Sequence, residues 1–191
     1  MPRGIARDHD QKRKAIRKGA AEYFAAHGFD RASMTGAARH CGVSKALIYH
    51  YYDSKESLLY DILDTHLTEL AETARGVDPG AGLEGLICAV LEAYEDADAE
   101  HKLQIDALSV LPEELQAPLI ALQRELVGIM AQTLVREAPG LEGTDKLSPV
   151  AMSVFGILNW FYMWHRPGKG LSRDAYSALA TDMVLNGIRA L

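Results

Sequence analysis

The sequence reads as an all-helical protein. Apolar residues recur at helical spacing nearly throughout, no persistent stretch alternates with period 2, and the periodic blocks are separated by glycine, proline and capping serines. The chain has 191 residues, 48% of them hydrophobic and 24% charged, which suits one good-sized domain or a small domain joined to a larger one.

The elements follow in order. Ile16, Ala20, Tyr23, Phe24 and His27 make one stripe of a first helix, and Gly28 follows where a left-handed residue ends it. Ser33 caps a short second helix ending at Gly42, in which Gly36 costs up to about 1 kcal/mol relative to alanine. Ser44 caps a third, and Asp53 or Ser54 a fourth, whose apolar face runs Leu58, Leu59, Ile62, Leu63, Leu67 and Leu70. VDPGAG at 77–82 is a break, and 82–100 reads as one further helix. Pro112 with Glu113 and Glu114 starts the next, with proline in the first turn and acids near the positive end of the dipole. It carries Leu119, Leu122, Leu126, Ile129 and Met130 toward a core and ends near 138, with a risk of a kink at Pro118. Ser148 and Pro149 start VAMSVFGILNWFYMWHR, the most aromatic helix. PGKG breaks it, and Ser172 caps a last helix reaching Leu191.

Charge divides the chain. Residues 1–60 hold 11 Lys+Arg against 6 Asp+Glu, whereas 61–191 hold 9 against 20, within a net charge of −6. A basic first third suits a polyanionic partner that the acidic remainder would avoid. Cys41 and Cys88 have no metal-type spacing and read as reduced thiols. No run of about 18 apolar residues occurs and the basic N-terminus lacks the apolar core of a signal peptide, so a cytoplasmic protein without membrane contact is expected.

SMTGAARHCGVSKALIYHYY has the plan of a helix-turn-helix: a short helix, a glycine turn at Gly42, and a second helix from about Lys45 to Tyr51. Successive helical side chains stand about 100° apart, so Tyr49, His50, Tyr51 and Tyr52 cannot share one core. Leu47, Ile48 and Tyr51 fall on the packing face and Tyr52 serves as an anchor beneath the fourth helix. Tyr49 and His50 point elsewhere, toward phosphate, sugar or base edges, and Ser44, Lys45 and Ala46 would enter the major groove. Lys55, opening the fourth helix, reads as a phosphate clamp, with a solvated surface lysine as the plainer alternative.

On these residues the sequence resembles the TetR/AcrR family of bacterial transcriptional regulators. The resemblance rests on Ala20, Phe24, Gly28, Phe29, Ser33, Met34, Ala38, Gly42, Val43, Ser44, Tyr49, Tyr52, Lys55, Glu56 and Leu58, across about positions 12–63. Ala37 stands where members usually have isoleucine and Tyr52 where they have phenylalanine, departures expected to loosen or repack the small core. The resemblance implies about nine helices. Residues 1–54, with a basic N-terminal arm, would form the DNA-binding domain, and 55–191 a regulatory domain that binds an effector and dimerises through the last two helices. Thr35, Ser44, Lys45, Ala46, Tyr49, His50 and Lys55 are the expected DNA contacts, in a homodimer on a palindromic operator. Ala175, Leu179, Met183 and Ile188, with the aromatic helix, would form the dimer contact.

The aromatic helix has two readings. Trp160, Phe161 and Trp164 pack at a dimer interface, or the face bearing Phe155, Asn159, Tyr162 and Met163 lines a cavity, since a buried Asn159 needs a ligand, a water or a tyrosine as partner. Asn159-Trp160 followed by Trp164, Arg166, Pro167, Gly168, Leu171 and Ser172, together with YDSKESLLYDIL, is similar to TetR-type regulators that sense acyl-CoA thioesters. That similarity implies an acyl chain among Leu86, Val90, Leu122, Leu126, Phe155 and Asn159, and phosphates near Arg124, Arg166 or Lys169. The acidity of this part weighs against a polyanionic ligand. Two other readings stand beside it: a dimeric DNA-binding protein answering to another apolar molecule or to none, and an enzyme. For the enzyme there is no nucleophile elbow, phosphate-cradling glycine loop or zinc spacing. The acidic run from Glu92 to Glu100 reads as a solvated face, so neither metal nor cofactor is expected.

Overall fold

In a computed structural model, residues 3–166 and 168–189 are described, with side chains from residue 9 onward. The fold is all-α. The helices are α1 (Arg3–His27), α2 (Met34–His40), α3 (Lys45–Tyr51), α4 (Lys55–Gly76), α5 (Gly82–Ala93), α6 (Asp98–Ala107), α7 (Glu113–Glu137), α8 (Leu147–Asn159), α9 (Phe161–Trp164) and α10 (Arg173–Ile188). The basic N-terminal arm belongs to α1 from Arg3 on, while Met1, Pro2, Pro167 and the expected helix end at Leu191 lie outside the described residues.

The chain forms two compact units, one of Met1–His66 with Ala97–Leu119 and one of Leu67–Asp96 with Ile120–Leu191. The core of the first follows the predicted stripes: Ile16, Ala20 and Phe24 of α1, Ala37 and Ala38 of α2, Ile48 of α3, and Leu58, Leu59, Ile62 and Leu63 of α4 are all buried. Ser33, Ser44 and Ser172 each accept a bond from the backbone N–H three residues on, as N-caps do. Ser54 caps α4 in the same way, accepting from Ser57 N at 3.0 Å. His27, predicted on the buried stripe of α1, is exposed. It lies at the end of the helix, where its ring nitrogen reaches the Tyr23 carbonyl at 2.9 Å.

Gly36 has a packing role. A Cβ there would stand 2.1 Å from the Tyr23 hydroxyl, and one at Gly19 would stand 2.8 Å from Cys41 Sγ, so both glycines let α1 and α2 approach closely.

In the second unit, α5 and α10 pack together, Leu86, Val90 and Leu91 are buried, and so are Ala180, Thr181 and Val184. Two predicted helices are each divided. The expected 82–100 helix stops at Ala93, because Asp96 takes a left-handed φ of 59° and the chain restarts at Asp98. The aromatic helix stops at Asn159, because the ladder tightens there: Met163 N–H bonds the Trp160 carbonyl three residues back. α7 runs unbroken across the exposed Pro118.

Candidate nucleic-acid interface

The site is built from the α2–α3 turn outward. α2 ends on Gly42 in the left-handed conformation at φ 66°. Val43 N–H bonds the Ala38 carbonyl at 2.9 Å and Gly42 N–H the Arg39 carbonyl at 3.2 Å, the paired bonds of a Schellman ending. Val43 is half-buried at the bend. α3 then starts at its Ser44 cap and is anchored by Ile48, which is fully buried.

With Ile48 inward, the predicted contacts face solvent. Thr35, Ser44, Lys45, Ala46, Tyr49 and His50 are all exposed, and Lys45 Nζ lies 5.7 Å from the centre of the Tyr49 ring. Sequence reasoning passed over two neighbours. Arg39 is exposed one turn after Thr35 on the same face of α2, and basic charge at that spacing was the available signal. His9 of α1 packs on Tyr51 at 4.6 Å and lies 6.4 Å from His50, a proximity that no local spacing announces.

Lys55 departs from its predicted role as a phosphate clamp. Its ammonium donates to the Phe29, Asp30 and Ala32 carbonyls at 2.8, 3.4 and 3.2 Å and sits 4.3 Å from the Phe29 ring centre. An ammonium has three N–H groups, and all three are engaged. Lys55 therefore ties the α1–α2 turn to α4. Tyr52 behaves as the predicted anchor, buried with its hydroxyl donating to Asp61 at 2.6 Å. Asp61 also accepts from Arg13 at 2.7 Å and Arg17 at 3.5 Å. Burial, with Asp61 next, holds the Tyr52 phenol well above its ordinary pKa, so the hydroxyl remains a donor. The tyrosine in place of phenylalanine thus adds a bonded junction of α1, the end of α3 and α4.

The model of the bacterial regulatory proteins of the tetR family matches residues 16–62, and that of the tetracyclin repressor-like C-terminal domain matches residues 76–188. The chain belongs to the TetR family. This regulator is 28% identical to the HTH-type transcriptional repressor KstR2 of Rhodococcus jostii over 185 residues, covering 88% of this chain and 87% of the repressor. A TetR-family transcriptional regulator from Bordetella parapertussis superposes with a TM-score of 0.85 at 33% identity, covering 94% and 96% of the two chains. AibR, solved with isovaleryl coenzyme A and operator DNA, superposes with a TM-score of 0.70 at 21% identity, covering 91% and 96%, and so shares the fold.

The residues predicted for the regulator's effector site are spread over several environments. Leu86, Val90, Leu126 and Phe155 are buried, Leu122, Asn159 and Tyr162 are half-buried, and Met163 and Arg166 are exposed. Asn159 Oδ1 accepts from the Tyr94 hydroxyl at 2.8 Å, the tyrosine option among its predicted partners. Burial raises the Tyr94 phenol far above its ordinary pKa. Arg166 donates to the His165 carbonyl at 2.8 Å. A cleft of about 210 Å³ opens between α4, α5 and α7, lined by Arg75, Leu86, Ile129, Thr133 and Arg136 among others; of the nine predicted residues only Leu86 reaches it.

The predicted dimer surface is partly corrected. Phe161 is 2% exposed, stacked on Tyr176 at 4.8 Å and on His165 at 4.3 Å, and Ile188 is buried; both belong to this chain's own core. Trp160, Trp164, Leu179 and Met183 are exposed. Among the described residues no helix is long and apolar enough to cross a membrane.

Proposed function

We propose that this TetR-family chain is a cytoplasmic repressor that binds a palindromic operator as a homodimer and leaves it when a small molecule binds the regulatory unit. The observation that carries the reading is the division of α3: Ile48 is fully buried while Lys45, Tyr49 and His50 face outward beside Arg39 and Thr35. That presents cations and hydroxyls to a groove from a helix held rigidly behind. A helix of seven residues reads few base pairs, which favours two copies on a two-fold site. The exposed Trp160, Trp164, Leu179 and Met183 supply an apolar face for that pairing.

For the effector, the sequence similarity and the isovaleryl coenzyme A held by AibR support an acyl-CoA thioester. The exposed Arg166 would serve its phosphates, and Leu86, Val90, Leu122, Leu126, Phe155, Asn159, Tyr162 and Met163 its acyl chain. The Tyr94–Asn159 bond favours the second reading, a dimeric regulator that answers to a different apolar molecule or to none, because it satisfies the asparagine without a ligand.

The test is operator selection from a random duplex pool, then titration by fluorescence anisotropy. Lys45→Ala should weaken selected sites by about 1 to 3 kcal/mol and relax base preference, and affinity should fall steeply with salt. Unchanged preference in both Lys45→Ala and Tyr49→Phe would overturn the reading of α3. A CoA ester that raises the melting temperature should weaken operator binding; stabilisation with operator affinity untouched would remove the coupling.

A further inference from the structure

The N-terminal part of α1 meets the end of α3 through three rings. The His9 imidazole lies 4.6 Å from the centre of the Tyr51 ring and the His50 imidazole 5.5 Å from it, so one half-buried phenol backs both. The Tyr51 hydroxyl also donates to the His9 carbonyl at 3.4 Å. The two imidazoles are exposed, 6.4 Å apart and nearly perpendicular. They are too far apart to bond one another, yet the gap between their edges takes one anionic oxygen at charge-assisted N–H···O distances of about 2.8 Å from each. Cations flank the pair: Lys12 and Arg13 follow one turn on from His9 along the same face of α1, and Lys45 opens the helix that carries His50. Asp61 of α4 is taken up by Arg13 at 2.7 Å, and Asp10 stands 3.9 Å from His9 Nδ1, which leaves Nε2 for an anion. Among the described residues no carboxylate pairs with His50.

We infer that His9 and His50 together hold one backbone phosphate of duplex DNA, at the edge of the surface that α3 presents, and that they do so as imidazolium ions. This rests on the reading of α3 as the DNA-facing helix and adds a contact from α1, outside the helix-turn-helix. A phosphate between two imidazoles favours their protonated forms, and histidine is the side chain that changes charge between about pH 5 and 8. Binding therefore takes up protons, so affinity for duplex is highest where both rings are charged and is lost as pH rises. A phosphate carries no base identity, so the effect holds on any sequence.

Anisotropy titration of the full chain with a labelled random-sequence duplex, at fixed low salt between about pH 6.5 and about pH 8, tests this in a window above the acid limb expected from His66. Affinity should fall about tenfold or more across it. The double variant His9→Gln, His50→Gln, both at exposed positions, should keep the native circular dichroism and reduce the fall to about twofold. His40→Gln alters the other histidine of the helix-turn-helix, 3.5 Å from Glu22, and should keep the unaltered profile. A merely structural role for the pair would shift the whole profile without changing its slope. Duplex binding with a flat profile in the unaltered protein, or a slope that the double variant keeps, would overturn the phosphate contact alone. No duplex binding at any pH would overturn it together with the proposed function.

Discussion

Lys55 shows how one side chain can carry structure where a functional role is expected. A lysine at a helix start is an odd choice for the dipole, and that oddity pointed to a phosphate. Its position answers differently: three carbonyls of the α1–α2 turn converge on the ammonium, and the Phe29 ring lies beneath it. Lys55→Met keeps most of the aliphatic stem and removes the charge-assisted bonds. It should cost about 1 to 3 kcal/mol of stability, read in urea unfolding at neutral pH. An unchanged midpoint would return Lys55 to the role of a solvent-facing cation. The pattern at Tyr52 is similar. The ring was legible as an anchor, but its bond to Asp61, itself held by Arg13, joins residues 9 and 48 positions apart, a separation at which no local periodicity operates.

Among the elements, the helix-turn-helix was readable almost residue by residue. Ser33, Gly42, Ser44 and the Lys45–Tyr51 span are local signals, set by caps and a left-handed φ that the chain chemistry enforces. Gly36 was legible only as a cost, since its reason lies on another helix. Propensity alone says that Gly36→Ala should stabilise α2 by up to about 1 kcal/mol. The Tyr23 hydroxyl, 2.1 Å from the new Cβ, reverses that sign. The substitution should destabilise by about 1 to 3 kcal/mol in thermal or chemical unfolding, and in a Tyr23→Leu background the penalty should shrink or change sign. An alanine that stabilises the otherwise unaltered protein would mean that the α1–α2 approach is looser than this contact requires. The breaks at Asp96 and Trp160 escaped notice because neither has glycine or proline at the point of change.

For the whole molecule, acid sensitivity follows from a buried histidine. His66 of α4 is 7% exposed, and its pKa is lowered to about 4, first by burial and then by the nearby His101 and Lys18. The unfolded chain, with an ordinary histidine near 6.5, binds the proton more readily. Stability from this residue is therefore complete above 6.5 and is lost as pH falls from there toward 4. Between about pH 7 and about pH 5 the loss should be about 2 kcal/mol, and His66→Gln should flatten that limb of the profile. Equal slopes in the two proteins would show that other groups govern it. The sign division of the chain also acts at this scale: the basic first third and the acidic remainder give a net charge of −6 that hides a surface suited to DNA.

By itself the sequence determined the helical class, the caps, the turn at Gly42, and that Tyr49 and His50 could not share a core with their neighbours, because each depends on periodicity or φ within a few residues. Only tertiary structure decided that Lys55 and Tyr52 lock α4 to the helices before it, that Phe161 and Ile188 turn into their own unit, that the Tyr94 hydroxyl bonds Asn159, and that Cys88 meets Asp174. Those are pairings across tens of residues, set by which faces the helices bury against one another, and local chemistry has no reach at that distance.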